Sequence, residues 1–169
     1  MNRVLLPPEY QPVTEPLLFL AGPIKGAADW QSQAIAYLHG LEPTLTIASP
    51  RTVSATDAYS STFSEDQYIA QAEWEHHHLE HARRHGVILF WFAPEAEHFC
   101  NRAYAQTTRV EFGDALCNAS QGQAKIVVGG VPEYPGYRYA HWRLKRLLPE
   151  VQFFATLEET CLAALTLLP

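Results

Sequence analysis

The sequence predicts an α/β domain built as a three-layer sandwich, with about five parallel strands between two layers of helices. Three observations carry that expectation. Short apolar runs alternate along the chain with stretches of helical period. The run "VILFWFA" (87–93) is unbroken β-branched and aromatic sequence, as a strand covered on both faces must be. A glycine turn joins the first clear strand to the helix after it, and strands that alternate with helices pair in parallel through right-handed crossovers. With 169 residues, the chain suits one domain over 1–169.

Each element has its own signal. "LLFLA" (17–21) is a compact apolar strand ending in Gly22 and Pro23, and "DWQSQAIAYLHGL" (29–41) sets Trp30, Ala34, Tyr37, Leu38 and Leu41 on one helical face. "LTIASP" (45–50) is a second strand stopped by Pro50, and the polar stretch 51–65 reads as a loop. In 64–86, Ser64 is an N-cap, acids fill the first turn, basic residues gather near the end and Gly86 caps the C-terminus. A helix follows from about Thr108 to Asn118, then the strand "KIVVGG" (125–130), a Pro/Gly/Tyr-rich loop, a helix around 140–148, the strand "VQFFA" (151–155) and a last helix over 157–168.

Composition excludes several roles. A net charge of -6, with the longest basic cluster (Arg138 to Arg146) broken by aromatic and aliphatic residues, argues against nucleic acid as the main partner. Three widely spaced cysteines without C-x-x-C suggest neither a disulfide framework nor a zinc ribbon, but reduced thiols in a cytoplasm. No apolar stretch nears the ~20 residues that span a bilayer, and the N-terminus does not resemble a signal peptide, so a cytoplasmic location without membrane contact is expected.

In a doubly wound sheet, ligands bind beyond the carboxyl ends of the strands, so the residues just after each strand matter most. After the first comes "GPIKGAADW", where glycines let backbone approach a ligand and helix N–H groups can meet a polar group; a plain tight turn would look the same. It is neither G-x-G-x-x-G nor a phosphate-binding G-x-x-x-x-G-K-[ST] loop. Trp30 is either a stacking surface or a core residue. In "TTRVEFGDAL" (107–116), Glu111 is either a solvated first-turn carboxylate answering the helix dipole or a reactive carboxylate at the mouth of a site.

"FLAGPIKGAADWQ", "QAEWEHHHLEHARRHGVILFWF" and "TTRVEFGDAL", in that order and at those separations, resemble the nucleoside 2-deoxyribosyltransferase family in its broader bacterial and phage branch. The resemblance covers roughly residues 17–130. It implies a flavodoxin-like fold, homo-oligomers whose sites are completed by a neighbouring chain, and cleavage of the N-glycosidic bond of a deoxynucleoside. A related branch hydrolyses deoxynucleoside monophosphates. The implied partner is thus a small nucleoside or nucleotide, and no metal or organic cofactor is needed.

By the same resemblance Glu111 matches the family's nucleophile, a carboxylate that attacks the anomeric carbon and holds the sugar covalently until water or a second base arrives. A first-turn position would favour its ionised form, and Gly113 would leave room for the sugar or for close packing. The family's second acid falls near His78 here, which is a departure; Glu75, one turn earlier on the same face, is the nearest carboxylate able to take over. Gly22, Pro23 and Trp30 would shape the pocket. Arg109 would hold a phosphate, pair with Glu75, or make a surface ion pair. Thr107 and Thr108 would replace the serine that the nucleotide-hydrolysing branch carries, or cap the helix.

Two rival readings come from other classes. His77, Glu80 and His81 form H-x-x-E-H, a zinc-hydrolase pattern, whose bland counterpart is a polar helix face. The other is a non-catalytic nucleotide- or partner-binding domain on the same scaffold, favoured by the missing acid at position 78. Phe90, Trp91 and Phe92 end the central strand, with Phe90 and Phe92 on one face, so one of the three can border the site while the others are core. The tyrosine-rich 132–142 segment suits a lid or a subunit contact, and Asn101 and Asn118 are amides available to an interface.

Overall fold

The computed structural model describes residues 3–14, 16–51 and 64–168. Six strands form one parallel sheet: β1 (Arg3–Leu5), β2 (Leu17–Ala21), β3 (Thr46–Ala48), β4 (Val87–Phe92), β5 (Ile126–Gly130) and β6 (Phe153–Phe154). Among the described residues five helices flank it: α1 (Trp30–Leu41), α2 (Glu65–His85), α3 (Gln106–Ser120), α4 (Tyr137–Leu147) and α5 (Leu157–Leu167). The strand order is β1-β3-β2-β4-β5-β6. Without β1 this is the flavodoxin-like order, wound in both directions from β2, with its switch point between β2 and β4.

The expected count of about five strands becomes six because Arg3–Leu5 pairs with β3 as an edge strand, Val4 opposite Ile47. Most of the polar 51–65 stretch lies outside the described residues.

Period two divides the core. Leu17, Phe19, Ile88, Phe90 and Phe92 point to the side of α2, α3 and α4, where they meet Trp74, Phe112 and Leu144. Leu18, Leu20, Leu89 and Trp91 point to the side of α1 and α5, against Trp30, Leu38 and Cys161. Every residue of β4 is buried, as its unbroken apolar sequence requires.

Helix α2 starts in a capping box: the Gln67 backbone N–H donates to Ser64 Oγ and the Ser64 N–H donates to the Gln67 side chain. Gly86 ends it, though not in the left-handed conformation expected of a glycine cap, since its φ is -156°. Close approach explains the glycine instead, because a Cβ there would collide with the backbone of Leu17 at the start of β2.

Candidate active site

The loops after β2 and β4 meet at the switch point. Ala96 and Glu97 both donate backbone N–H bonds to Gly26 O, at 2.7 and 3.0 Å, tying the two loops together. Trp30 Nε1–H donates to Pro23 O at 2.9 Å. Arg51, just after β3, reaches back to the same loop: its Nε donates to Gln31 Oε1 at 2.9 Å and its Nη2 to the carbonyls of Ile24, Ala27 and Ala28. Gly22 fits because it lacks a Cβ, which would stand 2.5 Å from Trp91 O and 2.6 Å from the Trp30 ring.

Over this loop opens a cavity of about 270 Å³. Gly22 to Lys25 form one wall and Pro50 another; Tyr68 and Glu75 enter from α2, Arg102 from the β4–α3 loop, and Ala105 to Thr108 with Glu111 from α3. Wider clefts of about 510 and 640 Å³ lie elsewhere, but their linings, around Arg83 to Lys125 and around Leu41 to Leu168, do not bring two carboxylates together. Chemistry rather than size singles out the smaller cavity.

Helix α3 begins at Gln106, preceded by Ala105 in the left-handed region (φ 55°, ψ 38°) with no side-chain cap. Its first helical bond runs from Arg109 N–H to Ala105 O, so the amides before it have no partner within the helix. Ala105 to Thr108 thus present a helix N-terminus to the cavity. This start also moves Glu111 into the second turn, out of the first-turn position expected from sequence, and Thr107 and Thr108 follow the cap rather than supply it.

That position reverses the electrostatics expected of Glu111. Its residue keeps some exposed surface, yet its carboxyl is withdrawn from solvent, and burial first and the Glu75 charge second push it up to about 8. Glu75 is raised as well by burial, an effect opposed by the Gln71 amide, whose Nε2 donates to Glu75 Oε1 at 2.9 Å. The same nitrogen donates to Pro50 O at 3.3 Å. Two carboxyls in one cavity, both desolvated, do not both ionise easily, and such pairs take up or release protons as a unit.

A family model described as nucleoside 2-deoxyribosyltransferase like matches residues 15–130. The chain belongs to this family. No curated protein and no solved structure gives a significant match.

The stretch matched to the deoxyribosyltransferase-like family runs from just before β2 through β5, so it holds every described residue lining the cavity. Of the residues singled out from sequence, Glu111, Glu75, Gly22, Pro23, Thr107 and Thr108 come together there. Trp30 is buried behind Pro23 and acts on the cavity through that carbonyl. Arg109 is exposed and bonds Pro135 O at 3.2 Å, so it neither lines the cavity nor pairs with Glu75. Gly113 is exposed in open space and, two residues on from Glu111, falls on nearly the opposite face of the helix from the lining.

His78 also lies outside the lining. Fully buried, it packs its ring 4.1 Å from that of Trp74, and Nδ1–H donates to Trp74 O at 2.8 Å. Nε2 therefore carries no proton in the neutral ring and has no hydrogen-bond partner among the described residues; burial lowers the pKa of this histidine. Phe90 and Phe92 pack on Phe112 in the core, not in the site. Tyr134 is buried with its ring stacked on Phe92, and Asn118 turns its amide onto Asp114 O of its own helix.

The H-x-x-E-H residues take other partners. Both Glu80 oxygens accept from Arg83, one also from Arg84, and these bonds hold its carboxyl at about 2, too weak a base to activate water. His77 meets Tyr10 and His81 meets His85. Among the described residues, no group of three or more His, Cys, Asp or Glu is placed to hold a metal ion.

Lys25, Arg102, Gln71 and Arg51 escaped the sequence reading. Lys25 had a signal, as the one charged residue between the two glycines of its loop, and Gln71 stands four residues before Glu75, the spacing of helix neighbours. Arg51 and Arg102 join the site through tertiary packing, for which no local pattern exists.

Proposed function

We propose that this protein cleaves, and in the presence of an acceptor base re-forms, the N-glycosidic bond of a deoxynucleoside or its 5'-monophosphate. Glu111 attacks the anomeric carbon as a carboxylate, and Glu75 supplies the proton that lets the base depart. The observation that carries this reading is the convergence of these two carboxylates, from two helices, on one cavity at the switch point of the sheet. Membership of a deoxyribosyltransferase-like family supports the substrate class.

Lys25 and Arg102 line the same cavity as the start of α3, an environment that favours an anionic group and hence the monophosphate over the nucleoside. The homo-oligomer belongs to the same reading. Val110 on α3 and Tyr139 and Trp142 on α4 are large apolar side chains left exposed on neighbouring helices, as subunit contacts would be. Sedimentation of the wild type against Trp142→Glu tests this; a monomeric wild type would end it.

The reaction is tested by incubating metal-free protein with a panel of deoxynucleosides and their monophosphates, with and without a second free base, and separating the products by chromatography. Base release shows hydrolysis, and a new nucleoside shows transfer. No turnover by either route, with ligand retained, would leave a binding domain instead.

A further inference from the structure

The cavity holds two carboxyls that the reaction needs in opposite states, one ionised to attack and one protonated to donate. Among the described residues, the titratable groups facing them are Lys25 from the β2–α1 loop, Tyr68 from α2 and Arg102 from the β4–α3 loop. Among the described residues, only one of the two carboxyls, Glu75, has a side-chain donor, the amide of Gln71. That amide cannot be turned round. Pro50 O only accepts, so Nε2 must face it, and the same Nε2 meets Glu75. Gln71 is 8% exposed and stands one turn before Glu75 on the same helix, so its orientation is held by packing as well as by Pro50.

We infer that Gln71 is a positioning residue that makes Glu75 the ionised member of the pair, so that in the empty site the shared proton rests on Glu111. A bond from N–H stabilises the carboxylate form of its acceptor over the acid. The raised state of Glu111, with Glu75 as one of its causes, agrees with that placement.

This inference rests on the reading of Glu111 and Glu75 as the reacting pair, and it adds a step to it. Before attack the proton passes from Glu111 to Glu75. Glu111 then forms its bond to C1' as the bond from C1' to the base nitrogen breaks, and Glu75 gives the same proton to that nitrogen and returns to a carboxylate. One proton thus serves both groups, and Gln71 sets how much of the resting enzyme must rearrange.

The test needs no turnover. In protein labelled with carbon-13 at the glutamate carboxyls, the two resonances are assigned from Glu111→Gln and Glu75→Gln, and wild type and Gln71→Met are titrated by NMR. Methionine keeps the length of the side chain and removes the donor. In the wild type the upper step should be carried by Glu111, with Glu75 ionising below it; in Gln71→Met that step should move wholly or partly to Glu75, a change of about one pH unit or more. An upper step on Glu75 in the wild type, or an unchanged assignment in Gln71→Met, overturns the inference. Should that variant fail to fold, Gln71→Asn keeps the amide and shortens its reach, and the same two outcomes apply. If base release fails while the titration behaves as expected, the glycosidic reading falls and the proton placement stands; the reverse result removes only the role of Gln71.

Discussion

Glu75 and Glu111 stand on different helices, α2 and α3, yet face one cavity, where burial first and the negative charge of Glu75 second raise the carboxyl of Glu111. The pair is brought together by the switch point, where the chain leaves β2 for one side of the sheet and returns to the other at β4. Each carboxyl alone is an ordinary helix residue. Their common desolvation makes them an electrostatically coupled pair.

Glu111→Gln should leave the fold intact and lower turnover by on the order of 10³-fold or more, measured as base release. Its effect on stability should depend on pH. Because the folded value of about 8 lies above the ordinary 4.5, the group's favourable contribution is complete below 4.5 and is lost as pH rises through 8. That loss is on the order of a few kcal/mol, and the glutamine variant lacks it. Thermal melts at pH 5 and pH 9 should therefore show the variant gaining on the wild type at the higher pH.

Glu75→Gln should cost about 10²- to 10⁴-fold with an ordinary purine deoxynucleoside, whose base needs a proton to leave. A 7-methylated purine already carries positive charge and leaves without one. With that substrate the variant should recover most of its rate, and kcat/KM should rise with pH through a midpoint below the wild type's, because the charge that helps raise Glu111 is gone. Equal losses on both substrates would show that Glu75 does not supply the proton.

Gly22→Ala should harm both stability and activity. The added carbon meets a backbone oxygen on one side and a buried indole on the other, and neither can yield without moving β4 or α1. Overpacking of this kind costs about 1–3 kcal/mol, readable by urea denaturation. A variant as stable as the wild type would mean that the loop shifts at little cost.

Glu80→Gln separates the glycosidic reading from zinc hydrolysis. Its depressed carboxyl contributes stability above the ordinary 4.5 that is lost as pH falls through about 2. Since the pair with Arg83 and Arg84 is partly exposed, that contribution should be only about 0.5–1 kcal/mol. Base release should be unchanged; a large loss of activity in this variant would return attention to His77 and His81.

Much of the fold was legible because its signals are local. The capping box at Ser64 and the apolar run of β4 each declare themselves within a few residues. Arg3–Leu5 did not, since three residues are too few for a period and only pairing with β3 makes them a strand. Within the site, Glu111 and Glu75 could be named, but the state of Glu111 could not. Its burial depends on where α3 starts, and that start is set by Ala105 in the left-handed region, a conformation that sequence seldom assigns to alanine. Arg51 and Gln71 act through carbonyl groups 20 or more residues away, and every carbonyl looks alike in a sequence.

The guanidinium of Arg51 gathers three carbonyl oxygens of the β2–α1 loop, while Trp30 holds a fourth. These bonds are internal to the protein and exist before any substrate arrives. A ligand entering the cavity therefore meets a wall already in place, and little of its binding energy is spent on ordering that wall. Selectivity on this side of the cavity should accordingly act by exclusion: a molecule that does not fit can enter only by breaking bonds that the loop makes within the protein.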